Sequence, residues 1–238
     1  MFYFLLPALF SVDYLLIAAA VIPAIVLMIR VYRSDRLERE SPYMLWKLVA
    51  AGIFSSLIAL VLERIFSGLL NLTVKDEALY QVLLYFGVVA FSEEGAKYFM
   101  LKRSSWNSGE FNCQYDGLVY AVFVSLGFAL WENISYVLHY GFTTAVVRAV
   151  TAIPGHTCFG VFMGVFYGLA RKFENRGFHG RSKRLRVMAI LFPALLHGAY
   201  DYIASINTST WYFVGFIAVL FLISYLLVLK MSRKDRYI

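Results

Sequence analysis

The sequence predicts an all-α, polytopic integral membrane protein of about seven transmembrane helices. Three observations predict it. Hydrophobic residues make up 61% of the 238 and charged residues only 16%, with a mean hydropathy of +0.67. Soluble domains stand nearer about 45–50% apolar and about 25% charged, and a soluble core of this length could not hide so much Leu, Val, Phe and Tyr. Apolar runs of about 20 residues, enough to cross a hydrocarbon layer of about 30 Å, recur along the whole chain. Basic residues collect in alternate connections between those runs.

The first run, 3–29, has no basic residue ahead of it and is too long for a cleaved leader, so it reads as a retained helix. The others cover 44–70, 79–101, 116–138, 143–170, 187–203 and 211–229. The fifth carries Pro154 and is expected to kink. The sixth is short and ends in Asp201. Gly160, Gly164 and Gly168 on the fifth have the small-residue spacing that lets helix backbones approach. Connections are short, which predicts one transmembrane helical domain over 1–238.

The basic residues orient this bundle. Four lie in 30–41, two in 102–115, seven in 171–186 and four in the tail from Lys230, whereas the opposite connections hold one, Lys75. Lys and Arg stay in the cytoplasm, so the N-terminus is expected outside and the C-terminus inside. The net charge of +7 then reflects loops facing anionic lipid, and no nucleic-acid partner is needed. The two cysteines, Cys113 and Cys158, are expected to be unbridged.

Charged side chains at membrane depth cost several kcal/mol unless they are paired or functional. Lys47, Glu63 and Arg64 are expected to reach the interface from helix ends. Asp116 is expected to cap a helix start, and Arg148 to lie near the outer surface. Asp13 fits the interface if the first helix starts late. Five sites on four helices remain: Glu93-Glu94-Lys97, Glu132, His156, and His197 with Asp201. At 100° per residue, Lys97 shares a face with Glu93 and Glu94, Phe128 with Glu132, and His197 with Asp201. At about 1.5 Å per residue, Glu93 and His156 come out roughly 20 Å below the outer surface, Glu132 and His197 roughly 9 Å, and Asp201 shallower. Converging stripes would build one polar cavity between the midplane and the outer leaflet.

Such a cavity suits water activation. A carboxylate removes the proton, and an imidazole or ammonium stabilises the oxyanion. Lys97 can pair with either acid, leaving Glu93 or Glu94 as the base. A divalent metal such as zinc, held by candidates among His156, His197, Asp201 and Glu132, would supply the same chemistry. No HExxH is present, and a metal-free, glutamate-dependent reaction stays open. Cys158 points about 200° away from His156 and is expected to pack rather than act as a nucleophile.

Three motifs carry a resemblance: Glu93-Glu94-Gly95-Ala96-Lys97 (EExxK), Phe128-Ala129-Leu130-Trp131-Glu132 (FxxxE) and His197-Gly198-Ala199-Tyr200-Asp201 (HxxxD). In this order, on successive apolar segments, they resemble the PrsW family of intramembrane proteases, within the superfamily of CAAX-processing and bacteriocin-processing enzymes. The motif-bearing core covers about 79–205. The resemblance implies an intramembrane peptidase of a bacterial plasma membrane, with Glu93, Glu94, Lys97, Glu132, His197 and Asp201 as catalytic residues. It also implies a single-pass membrane substrate of the anti-sigma-factor type, and a site biased to the outer half agrees with a cut near the outer face. His156 stands outside the motifs and joins the site by depth alone. The alternative is a proton- or ion-coupled transporter, since buried acids and histidines also relay protons. No matched halves of the kind transporters carry are visible.

Overall fold

A computed structural model describes residues 14–206 and 210–238. Asp13 and the start of the first expected span lie outside these residues. Helices run α1 Tyr14–Arg33, α2 Pro42–Thr73, α3 Glu77–Val82, a π-helical segment Leu83–Val89, α4 Ala90–Ser105, α5 Asp116–Tyr140, α6 Phe142–Val150, α7 Ala152–Asn175, α8 His179–Ser205 and α9 Thr210–Arg233. Extended pairing among the described residues is confined to one bridge, Cys113 with Tyr237, so the all-α expectation holds. Among the described residues six helical stretches are long and apolar enough to cross a membrane, and they coincide with six of the seven expected spans. The remaining expected span, 79–101, is the continuous helical run through α3, the π segment and α4. Its α-helical geometry gives way to π turns at Leu83–Val89, and it carries Glu93, Glu94 and Lys97.

Local chemistry explains the boundaries. Ser41 caps α2 by accepting from the Met44 amide at 3.1 Å, and Pro42 opens the first turn. There a missing N–H is harmless. Asp76 likewise caps α3 at the Leu79 amide, at 2.8 Å. The fifth expected span divides rather than kinks. α6 stops at Val150, Thr151 leaves the helical region (φ −120°, ψ −72°), and Pro154 sits in the first turn of α7. The basic connection expected over 171–186 shrinks to residues 176–178, because α7 and α8 run on past their apolar stretches. Straight-chain Lys and Arg are good helix formers, so these helices continue beyond the apolar layer.

α5 is the centre of the bundle, buried from Asp116 through Ala129. Small residues set how closely its neighbours approach. A Cβ on Gly164 would stand 2.6 Å from the Gly117 carbonyl oxygen, and one on Gly117 would stand 2.6 Å from the Gly168 Cα. The GxxxGxxxG stripe is therefore the α5–α7 crossing. On the other side of α5, Gly52 of α2 meets the backbone of Val124–Phe128. Gly198 on α8 lies against Phe86 of the π segment, whose Cα would be 2.9 Å from an added Cβ. That contact draws α8 onto the chain just ahead of Glu93. Both cysteines are free and buried, and Cys158 packs with Phe159, Phe162 and Leu220.

Candidate active site

The π segment hands directly into α4, so Glu93 and Glu94 fall in and next to that helix's first turn. A π turn inserts a residue and rotates the helix beyond it, which is why such turns recur at functional sites. Lys97 lies one turn on and is fully buried. Its Nζ donates to Glu94 Oε1 at 2.7 Å and to Glu93 Oε2 at 3.1 Å, and lies 3.1 Å from His156 Nδ1. The same ammonium stands 3.9 Å from the centre of the Phe128 ring, the first residue of the FxxxE motif. This cation–π contact offsets part of its desolvation.

α8 brings His197 to the other side of the acids. His197 Nδ1 is 3.0 Å from Glu94 Oε1 and 3.8 Å from Glu93 Oε2. Its Nε2 is 3.4 Å from Asp201 Oδ2, one turn further on α8. Phe159 stacks on the His197 ring at 4.7 Å, and the two imidazoles lie 5.3 Å apart. His156 is engaged at both nitrogens: Lys97 at Nδ1 and Glu132 Oε2 at Nε2, 2.9 Å away. The expected residues from four helices thus form one connected cluster. His156, which carries none of the three motifs, is at its centre.

The two glutamates are not equivalent. Glu94 is wholly buried, bonded to Lys97 and close to His197, and its Oε2 has no hydrogen-bond partner. Glu93 forms part of the wall of a cavity of about 330 Å³, together with His156, His197, Glu132 and Asp201. The remaining wall includes Tyr136, Thr151 and Tyr200. These belong to helix ends opposite the basic connections, so the cavity lies toward that half of the bundle.

Two wall residues escape the sequence reading. Arg148, expected near the outer surface, donates from Nη2 to Glu132 Oε2 and from Nε to Asn133 Oδ1, both at 2.9 Å. Asn133 in turn donates to the Ala20 carbonyl of α1 at 2.9 Å. Glu63, expected at a helix end, is half-buried on the cavity wall because α2 continues to Thr73. The requirement that a buried charge find a partner points from Arg148 to an acid on a neighbouring helix. Depth counting from uncertain ends conceals it. Replacing Arg148 with Gln should lower catalysis by about 10–100-fold, the usual size for a residue that orients a working group from behind, with the protein still accumulating in the membrane. An unchanged rate would mean that Glu132 holds His156 without its help.

The donor set can be tested against a metal. Glu93, Glu94, His156 and His197 each offer one atom, and these atoms lie within 4.8 Å of one another. Two imidazoles and two carboxylates fit zinc in type and number, and the partnerless Glu94 Oε2 is a buried donor without a task. Glu132 and Asp201 stand behind the imidazoles, where partners that orient metal-bound histidines are found. The Lys97 ammonium shares the same space, bonded to three of the four donor residues.

Residues 40–228 match the family described as "PrsW family intramembrane metalloprotease". The chain is similar to proteins named Protease PrsW from several bacteria. It is 31% identical to that of Clostridioides difficile (strain 630) over 223 residues, covering 91% of this chain and 87% of the relative. It is 31% identical to that of Bacillus subtilis (strain 168) over 206 residues, covering 86% and 90%. It is 30% identical to that of Oceanobacillus iheyensis over 212 residues, covering 88% and 92%. No solved structure matches it. With three ordered motifs meeting in one membrane-depth cluster and a family match spanning most of its length, the chain belongs to the PrsW family of intramembrane proteases.

Proposed function

We propose that the chain hydrolyses a peptide bond of a single-pass membrane protein, of the anti-sigma-factor type, within the outer half of the bilayer. In this reading the N-terminus is outside and the C-terminus cytoplasmic, which the distribution of basic residues supports. The observation that carries this reading is the position of Glu93: it faces the cavity, while the adjacent Glu94 is locked between Lys97 and His197. Glu93 takes a proton from water, and the hydroxide attacks the scissile carbonyl carbon. Glu93 then returns the proton to the leaving amine as the carbon–nitrogen bond breaks. Lys97 is the positioning residue, since it is not on the cavity wall and acts through Glu93, Glu94 and His156. His197, backed by Asp201, faces the same cavity and meets the oxyanion that forms. A zinc ion, if bound, would be held by Glu93, Glu94, His156 and His197 and would lower the pKa of its water.

The transporter alternative is disfavoured by geometry. The acids and histidines close on one another in a single cluster rather than spacing out along a path through the bundle. The test is cleavage of a single-pass substrate by the purified, reconstituted chain, with bound zinc measured in the same preparation. Cleavage should vanish in His197→Ala while the variant accumulates normally. Cleavage by His197→Ala at the unmodified rate would remove the assignment, and full activity at zero metal content would remove the zinc version alone.

A further inference from the structure

We infer that the end of the bundle carrying the basic connections holds a second, oxygen-lined site for a hard divalent cation, Mg²⁺ or Ca²⁺, built by Asp35, Glu40 and Asp116 with Asp235 beside them. This site stands apart from the peptidase centre. Asp116 opens α5 and Glu132 lies 16 residues along it, roughly 24 Å away at about 1.5 Å per residue.

Three chain segments supply the carboxylates. Asp35 and Glu40 come from the α1–α2 connection, Asp116 from the start of α5, and Asp235 from the tail after α9. One oxygen each from Asp35, Glu40 and Asp116 lies within 4.8 Å of the other two, and all three residues are buried. Some of these oxygens are occupied. Asp116 Oδ2 accepts from the Asn112 and Cys113 amides at 3.0 and 2.6 Å. Glu40 Oε2 accepts from the Tyr120 hydroxyl at 2.8 Å. Asp235 Oδ1 accepts from the Tyr115 amide at 2.8 Å.

Four others have no such partner. Asp35 is only 4% exposed, yet neither oxygen makes a hydrogen bond of good geometry. The nearby amides of Leu37, Glu38 and Arg36 merely favour its charge. Asp116 Oδ1 and Asp235 Oδ2 are likewise buried and partnerless. A buried carboxylate oxygen left this way gives up its hydration without a replacement partner, and three of these carboxylates converge here.

Among the described residues none of these carboxylates is in an ion pair. The charged groups acting most strongly on each are other carboxylates: Asp235 on Asp35, Asp116 and Glu110 on Glu40, Asp35 and Asp235 on Asp116. Burial, with this repulsion added, pushes Asp35 up to about 6 and Glu40 up to about 9. Protons or a cation must therefore neutralise the cluster. Carboxylate oxygens alone select hard cations. Cys113 is close by, but it is not among the converging donors, and burial holds its thiol up at about 12.

A cation here would staple the tail to the body. The tail already touches it: Ser232 Oγ donates to the Ser34 carbonyl, the Arg236 carbonyl accepts from the Gln114 amide at 3.1 Å, and the Ile238 amide donates to the Asn112 carbonyl at 2.8 Å. The test is calorimetric titration and thermal unfolding of the purified full chain, stripped with EDTA and then given MgCl₂, CaCl₂ or ZnCl₂ alone. Mg²⁺ or Ca²⁺ should bind and raise the unfolding midpoint by about 5–10 °C at roughly a hundredfold excess over its Kd. The shift should persist in His197→Ala, which impairs the other donor cluster. It should disappear in Asp35→Asn, which disturbs no existing hydrogen bond, and in Glu40→Gln, whose amide oxygen can still accept from Tyr120. No binding by either cation, a response to zinc alone, or an undiminished shift in Asp35→Asn would each overturn the site.

Discussion

Glu93→Gln is expected to reduce peptide cleavage by about 10²–10⁴-fold, the contribution of a positioned general base, without lowering the amount of folded protein. Lys97 keeps its shorter bond to Glu94 in that variant, and the amide oxygen of the substituted side chain can still accept from Nζ. Glu94→Gln should differ in kind. It removes the negative charge closest to a fully buried ammonium and beside His197. Breaking a buried charge pair costs up to about 3–5 kcal/mol, offset in part because Glu93 remains. Cleavage should fall with Glu94→Gln as well, but the unfolding midpoint and the membrane level should fall with it. The pair is distinguished by measuring all three quantities on both variants. Equal stability with cleavage retained in Glu93→Gln would move the base to Glu94 and reverse the roles assigned here.

Much of the fold is legible in the sequence because the bilayer imposes length and composition on every span. The six long helices follow from apolar runs alone, and the α5–α7 crossing follows from Gly160, Gly164 and Gly168. The features that escape are decided by tertiary contact. Hydropathy does not register the π segment at Leu83–Val89, which is as apolar as the α-helices around it. The sequence predicts a kink at Pro154, whereas the helix breaks at Thr151. A proline in a first turn costs nothing, so its presence marks a helix start as readily as a distortion. The helix ends of α7 and α8 run longer than their apolar stretches because the Lys and Arg of 171–186 favour helix, and only the turn at 176–178, with Gly177 at φ +78°, interrupts them.

The membership of the site is legible from cost. Glu93, Glu94, Lys97, Glu132, His156, His197 and Asp201 stand out as charges or imidazoles without an interface to reach, and they are the residues the helices bring together. Their wiring is not legible. Helical spacing places Lys97 beside Glu93 and Glu94, but only the packing of α7 puts His156 Nδ1 on the same ammonium. Counting from span ends sets Arg148 and Glu63 aside even though those ends match the helices to within three residues, because depth alone does not say which neighbouring helix turns a side chain toward the cavity.

Gly164→Val should abolish both accumulation and activity, by a route unlike that of Glu93. A Cβ there would stand 2.6 Å from the Gly117 carbonyl oxygen and against the Leu118 backbone. Both obstacles are main chain, so no rotamer change relieves them, and α7 must move away from α5. Overpacking commonly costs about 1–3 kcal/mol where side chains can yield, and more is expected where they cannot. The displacement also reaches the chemistry. His156 is on α7 and Glu132 on α5, and their 2.9 Å contact depends on this crossing. A misplacement of about 1 Å is enough to cost roughly 10²-fold in rate, so the fraction that still folds should also cleave poorly. Gly95→Ala provides the contrast. Gly95 lies inside the EExxK motif, yet an added Cβ would meet nothing within 4 Å, and Ala favours a helix over Gly by about 1 kcal/mol. That variant should accumulate at least as well as the parent and keep its cleavage rate. Wild-type levels and rate in Gly164→Val, or collapse of Gly95→Ala, would show that backbone proximity does not govern which glycines this bundle can lose.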